Sequence, residues 1–205
     1  MNKKIVYCPY IRCDGVLCQI CLGKMVFECC YHIILILNEY GNNIRRCIEH
    51  YENLPRTWCI CKLNAVVNIV NGKTQKEVKD VNGVYPIYGS GGIIGYAKEY
   101  LCLSGSTIIG RKGTINNPIL VNENFWNVDT AFGMKPIDIV DDAYFFYFCQ
   151  SFDFSQLDKS TALPSLTKTV IGNLLLPVPP YNEQKRIVTV IRRYEQILNT
   201  IEESL

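Results

Sequence analysis

Three observations predict an α+β fold: a strand-rich domain with short helices, followed by a C-terminal coiled-coil-type helix and preceded by a small cysteine-rich segment. Between residues 54 and 180 the chain is a series of short β-prone runs separated by glycine and asparagine, the rhythm of a sheet domain with many turns. From Ile187 onward, apolar residues recur at alternating steps of four and three, which is a heptad seam. Nine of the eleven cysteines fall in residues 1–61, so the head of the chain is a different kind of sequence from the rest. The chain accordingly divides into residues 1–50, 54–180 and 181–205.

In residues 1–50, Cys8, Cys13, Cys18, Cys21, Cys29, Cys30 and Cys47 accompany His32 and His50. Cys18-Gln-Ile-Cys21 has the two-residue gap of a zinc knuckle, and Cys8 and Cys13 would complete a thiolate quartet around a structural zinc. The Cys8 to Cys13 gap is too long for a second pair of that kind. The competing reading is a set of buried, reduced cysteines in a small apolar module, since free cysteine packs as a small hydrophobe. An odd cysteine count without an export signal argues against a disulfide scaffold. The run at 32–37 reads as a buried strand or a short helix, which periodicity alone does not separate.

The middle segment opens with Leu54-Pro-Arg-Thr-Trp58 as an entry turn. Residues 62–70 read as a short helix that stops at Asn71-Gly72. Strands are expected at 85–88, 93–97, 106–110, 119–121 and 130–134. Residues 143–154 are aromatic and helical, with Tyr144, Phe145, Tyr147, Phe148 and Phe152 available for a core face. Residues 174–180 read as a last strand and an extended exit, because prolines continue neither a ladder nor a helix. In the final helix Asn182 is the expected N-cap, with Glu183 in the first turn. Ile187, Ile191, Tyr194, Leu198, Ile201 and Leu205 form the seam. A seam this short needs another surface, either a partner helix in a dimer or larger assembly, or its own domain.

Composition narrows the function classes. With 48% hydrophobic and 20% charged residues the chain is globular material. A net charge of +2 means that any nucleic-acid surface is a local patch, not a whole-protein field. No apolar run approaches the roughly 20 residues of a membrane span, and the first residues lack a signal-peptide core, so a cytoplasmic protein without a membrane partner is expected.

The stretch from Tyr85 to Met134 carries the chemistry. Gly89, Gly91, Gly92 and Gly95 cluster just before a strand-like run that ends in Gly110-Arg-Lys-Gly-Thr114. Backbone freedom beside paired positive charge suits close approach to a phosphate chain. A turn at Gly110–Gly113 would project Arg111 and Lys112 from one point, with Thr114 adding a hydroxyl. Phosphate contact is the modest reading, bidentate reading of guanine by Arg111 the bolder one, and a β-turn with solvated charges the alternative. Tyr88, Gly89, Ser90 and Gly91 would offer backbone N–H groups to phosphate, although the spacing is not that of a nucleotide-binding P-loop; a glycine-rich bulge between strands is the alternative. Asp129-Thr130 reads as a turn held by an Asx side chain. Ser160, Thr161, Ser165, Thr167 and Lys168 form a polar, partly basic stretch that either touches a DNA backbone or is a solvated loop.

Catalysis by this chain is not expected. Val178-Pro-Pro-Tyr181 looks like the catalytic tetrapeptide of amino-methyltransferases, but Val178 cannot accept a hydrogen bond from a flipped base's amino group. No helicase phosphate loop is present. Asp138, Asp141 and Asp142 read as a solvated acidic turn and not as a nuclease's metal cluster. His32 and His50 are the only histidines, and neither has a nucleophile at a recognised spacing.

From about Leu54 the chain resembles the target-recognition domain of type I restriction–modification specificity subunits. The resemblance rests on the order of several short matches. These are Asn71-Gly-Lys-Thr74, the run at 85–95, Ile108-Ile-Gly-Arg-Lys-Gly-Thr-Ile115, Phe125-Trp126 and Val128-Asp-Thr-Ala-Phe132. Pro164-Ser-Leu-Thr167, Leu176-Pro-Val-Pro-Pro180 and Asn182-Glu-Gln-Lys-Arg-Ile187 complete the set. It covers roughly three quarters of the chain; residues 1–50 do not fit it. The resemblance implies a non-catalytic, cofactor-free protein whose globular domain recognises double-stranded DNA. It also implies a long helix that acts as a spacer and as a docking site for methyltransferase and restriction subunits. A full subunit of that family carries two recognition domains and two helices, so this chain looks like a half subunit or a fragment, with a homodimer through the C-terminal helix as one way to complete it. The competing reading is a protein-interaction module without DNA affinity that assembles through that helix.

Overall fold

The run Val67-Asn-Ile-Val-Asn71 alternates inside and outside, with Val67 and Ile69 buried and Asn68 and Asn71 exposed. That is the period of a strand. It overturns the expected helix over 62–70. The computed structural model, which describes residues 54–157 and 166–204, instead has strand β1 (Cys59–Lys62), one helical turn α1 (Leu63–Val66) and strand β2 (Val67–Asn71). β-Branched side chains lose rotamer freedom in a helix and pack well on a pleated surface, and a single turn has too few hydrogen bonds to outweigh that. The Cys8, Cys13, Cys18, Cys21 quartet, the run at 32–37, Ser160, Thr161, Ser165 and Leu205 lie outside the described residues.

The remaining strands fall where alternation and glycine punctuation place them. They are β3 (Tyr85–Gly89), β4 (Gly92–Ala97), β5 (Ser106–Gly110), β6 (Ile119–Val121), β7 (Trp126–Asn127), β8 (Ala131–Pro136) and β9 (Leu175–Val178). Among the described residues they make three sheets. One is four-stranded and antiparallel, ordered β2-β8-β5-β6. A second runs β4-β3-β7, with β3 and β7 parallel. In the third, β1 pairs antiparallel with β9, so the first and last strands of the domain meet.

Strand β5 is buried along its whole length. Its neighbours Ile108 and Ile109 belong to different apolar clusters, as do Ala131 and Phe132 on β8, so the central sheet is covered on both faces. The larger cluster is built on Leu63, Ile109, Phe132, Phe145, Leu166 and Leu176, and the smaller centres on Phe125. Helix α2 (Asp142–Ser151) supplies the expected aromatic face: Tyr144 and Phe145 are buried, and Tyr147, Phe148 and Phe152 half-buried. The acidic turn before it is not simply solvated. The Asp141 side chain caps α2 by accepting the N–H groups of Ala143 and Tyr144, each at 3.0 Å, and Asp142 pairs with Lys135 at 2.7 Å. Among the described residues no His, Cys, Asp and Glu group is arranged to hold a metal, and no helix is long and apolar enough to cross a membrane.

Helix α3 (Lys168–Gly172) is capped by Thr167, whose hydroxyl accepts the Val170 N–H at 3.2 Å. Helix α4 (Tyr181–Glu202) is capped at Pro180 and not at Asn182, which lies exposed inside the first turn. The Pro180 carbonyl accepts the N–H groups of Glu183 and Gln184. Two consecutive prolines hold the backbone extended through residue 180, so the helix starts at the first residue free of a ring constraint. Glu183 sits in the first turn as expected.

Candidate nucleic-acid interface

The loops that carry the chain's cations hang on one corner, residues 127–131. Asn127 is fully buried. Its Nδ2 donates to the Ala131 carbonyl at 3.0 Å, and its Oδ1 accepts the Cys102 thiol at 3.0 Å. Only a carboxamide serves both partners, because a carboxylate has no N–H to give. This corrects the expectation for Asp129, which is exposed and makes no side-chain hydrogen bond among the described residues. The corner is held by Asn127 from inside and by the Thr130 main chain. Burial pushes the Cys102 thiol up to about 12, which leaves it a hydrogen-bond donor and not a nucleophile.

Four other segments bond to this corner or to each other. The Val128 N–H donates to the Tyr88 carbonyl at 3.0 Å, fixing the base of the β3–β4 hairpin. The Thr130 carbonyl accepts both the Arg111 N–H at 2.7 Å and the Lys112 N–H at 3.3 Å. The Asn127 carbonyl accepts the Lys73 N–H at 3.0 Å. The Arg111 carbonyl in turn accepts the N–H of buried Leu166 at 3.0 Å, which brings in the start of α3 and Lys168. Main-chain hydrogen bonds thus tie the hairpin and the segment of Arg111, Lys112 and Thr114 to this corner, and the segment of Lys168 to Arg111, although 80 residues separate Tyr88 from Lys168 in sequence. Lys73 belongs with them and was not singled out from the sequence. The available signal was a strand ending in glycine and then a lysine at Asn71-Gly-Lys, which parallels Gly110-Arg-Lys.

The two glycine sites differ in kind. At the cation turn, a β-carbon on Gly110 would lie 1.9 Å from the Thr114 carbonyl oxygen, and Gly113 has φ +76°, so both glycines are required by the backbone. Lys112 and Thr114 are exposed, whereas Arg111 is half-buried, and its Nε is buried without a hydrogen-bond partner. The two cations therefore do not project alike: the base of the Arg111 guanidinium is buried, whereas Lys112 is exposed. At the hairpin, Gly89 pairs with Gly92 across a two-residue connection, Ser90-Gly91. Gly89 is buried, Ser90 half-buried, and Gly91 exposed with no atom within 4 Å of its would-be β-carbon. Tyr88 is half-buried, its ring edge-on to Phe125 at 5.5 Å, and its hydroxyl is pushed up by burial first and by Glu123 second. The register slips beyond Ile87, so Ile93 and Ile94 are both exposed.

Helix α4 is anchored on the segment between β8 and α2 and on the residues after β9. Gln184 is fully buried: its Oε1 accepts the Asp141 N–H at 2.8 Å, and its Nε2 donates to the carbonyls of Ile139 at 3.0 Å and Pro179 at 2.8 Å. Val188 is buried, and Ile187 and Ile191 are half-buried against the domain. The Tyr147 hydroxyl donates to Glu195 at 2.8 Å. Further along, Tyr194 is 64% exposed, Leu198 58% and Ile201 49%, so the distal seam is uncovered among the described residues.

The sequence model of the family described as the type I restriction modification DNA specificity domain matches residues 55–205, and the chain belongs to that family. It is 25% identical over 182 residues to the specificity subunit of the type I restriction enzyme MjaVIII of Methanocaldococcus jannaschii, covering 76% of this chain and 40% of that protein. It is 25% identical over 128 residues to the EcoprrI specificity subunit of Escherichia coli, covering 62% of this chain and 32% of that one. Solved structures share the fold. The HsdS subunit from Thermoanaerobacter tengcongensis superposes with a TM-score of 0.63 at 14% identity, over 88% of this chain and 53% of that one. The S subunit of a type I restriction-modification system from M. genitalium gives 0.54 at 16% identity, over 71% and 41%. The chain thus spans about half or less of the length of each of these relatives.

Proposed function

We propose that this chain is the recognition half of a type I restriction–modification specificity subunit. It binds a particular sequence of double-stranded DNA and positions methyltransferase and restriction subunits there, with no catalysis and no cofactor of its own, in the cytoplasm. The observation that carries this reading is that the loops of Lys73, Arg111 and Lys112 are tied by main-chain hydrogen bonds to one buried corner, with the segment of Lys168 tied to Arg111, in a chain of that family. A net charge of +2 supplies no general attraction, so cations gathered at one place are what a phosphate backbone would meet. The uncovered seam at Tyr194, Leu198 and Ile201 fits a second helix of the same kind, from a second copy or from a second half of a longer subunit.

One observation favours a different reading, a protein-interaction module without DNA affinity: the exposed apolar residues Ile93, Ile94 and Tyr96 on β4 add to the exposed seam. A single experiment separates the two. The full chain is incubated with a randomised duplex pool at two salt concentrations, and the bound fraction is sequenced. Recognition predicts an enriched motif and salt-sensitive retention. The Arg111→Ala, Lys112→Ala double variant is expected to weaken binding on every sequence and to reduce the slope of log affinity against log salt by about two. An unchanged slope removes these residues from the interface; no retention at either salt leaves the interaction module.

A further inference from the structure

An open groove of about 580 Å³ lies where α1, β2 and α3 meet. Its lining includes Val67, Ile69 and Ile137 together with Asn64, Asn68, Asn173, Thr169 and Lys168. Helix α3 sits close to Asn64 there: a β-carbon on Gly172 would stand 3.2 Å from the Asn64 β-carbon. All three asparagines are exposed, and their carboxamides make no hydrogen bond among the described residues. No carboxylate lines the groove. The groove also adjoins the cation loops. Leu166 is bonded to the Arg111 carbonyl, and Lys168 lies two residues further on, within about 7 Å of chain.

We infer that this groove reads DNA base edges, with Asn64, Asn68 and Asn173 discriminating bases and adenine the base class they take. The inference rests on the DNA-recognition reading above and adds the residues that would give it sequence preference. A carboxamide holds one donor and one acceptor in a plane, matching N6 and N7 of adenine, and it has no charge to draw it to phosphate. Lys168 at the rim suits the adjacent phosphate. The division is the one that protein–DNA interfaces show in general: cations position the duplex, and uncharged planar groups specify it.

The test uses the full chain and the motif enriched from the randomised pool. A triple variant, Asn64→Ala with Asn68→Ala and Asn173→Ala, is compared with the parent on the motif duplex and on a scrambled duplex. The groove reading expects the preference for the motif to fall tenfold or more, at adenine positions, while affinity for the scrambled duplex and the salt slope stay unchanged. An unchanged preference overturns it. Equal weakening on both duplexes with a shallower salt slope also overturns it, since that is phosphate contact. Should the triple variant melt earlier than the parent, the three single variants decide: each is expected to relax one base position, and none doing so overturns the assignment. If the parent itself enriches no motif, DNA recognition fails as a whole and this assignment fails with it.

Discussion

The corner at 127–131 and the rim that hangs from it obey opposite rules. At the inner side of the corner little space is left: Asn127 is buried with its carboxamide bonded at both ends, and a β-carbon on Gly72 would lie 1.8 Å from the Val128 carbonyl oxygen. On the rim, Lys73, Lys112 and Lys168 are exposed, and Gly91 faces open space. The difference separates holding from touching. A rigid, satisfied interior sets where the loops stand, and solvent-facing side chains are left free to bind.

Breaking the corner should cost most. Gly72→Ala forces backbone apart in a packed site, with an expected loss of about 3 kcal/mol, read as a shift in the urea midpoint at constant slope. Asn127→Ala leaves the Cys102 thiol without its partner and takes one of two donors from the Ala131 carbonyl, the other being the Gly72 N–H, for about 2 kcal/mol in the same assay. Gln184→Ala should cost a similar amount by orphaning the Asp141 N–H and the Ile139 and Pro179 carbonyls.

The corner also predicts an alkaline weakness. Cys102 titrates at about 12 when folded, above its ordinary 9.0, because burial disfavours the thiolate. The unfolded chain therefore gives up that proton first. The thiol's contribution is complete below pH 9 and is lost as the pH rises toward 12, at a rate approaching 1.4 kcal/mol per pH unit. Unfolding measured from pH 8 to pH 10.5 should show the decline, and Cys102→Ala should flatten it in part, since buried Cys149 is shifted in the same direction.

The rim should be nearly silent in these assays. Lys73→Ala is expected to move stability by less than about 0.5 kcal/mol while lowering the salt slope of DNA binding by about one. Gly91→Ala, the smallest change, should leave the melting curve where it is, because nothing stands within 4 Å of the added methyl group. A large loss from Gly91→Ala, or a negligible one from Gly72→Ala, would erase the distinction between the two regions.

Helix α4 repeats the contrast along one element. Its first turns are fixed by Gln184, Val188, Ile187 and Ile191, while the distal seam stands uncovered. From the spacing alone the seam reads as one continuous stripe, and the domain's share of it is invisible. The missing sign was Gln184, a polar residue within an apolar stripe. Its importance comes from three main-chain partners, two of them on the segment before α2.

Periodicity and punctuation in the sequence determined the α+β class, the glycine-bounded strands, the aromatic face of α2 and the position of the last helix, because these depend on neighbours a few residues away. They failed at 62–70, where a helix-like polar start gives way to an alternating β-branched run, and at the cap of α4, where two prolines set the boundary that an asparagine was expected to set. Only the tertiary structure decided that Asn127 and not Asp129 holds the loops, that Lys73 joins Arg111, Lys112 and Lys168, and that three asparagines from α1, β2 and the end of α3 share a groove. The physical reason is separation along the chain. Asn127 meets Cys102 across 25 residues and Gln184 meets Asp141 across 43, and hydrogen bonds at such distances leave no local pattern to read.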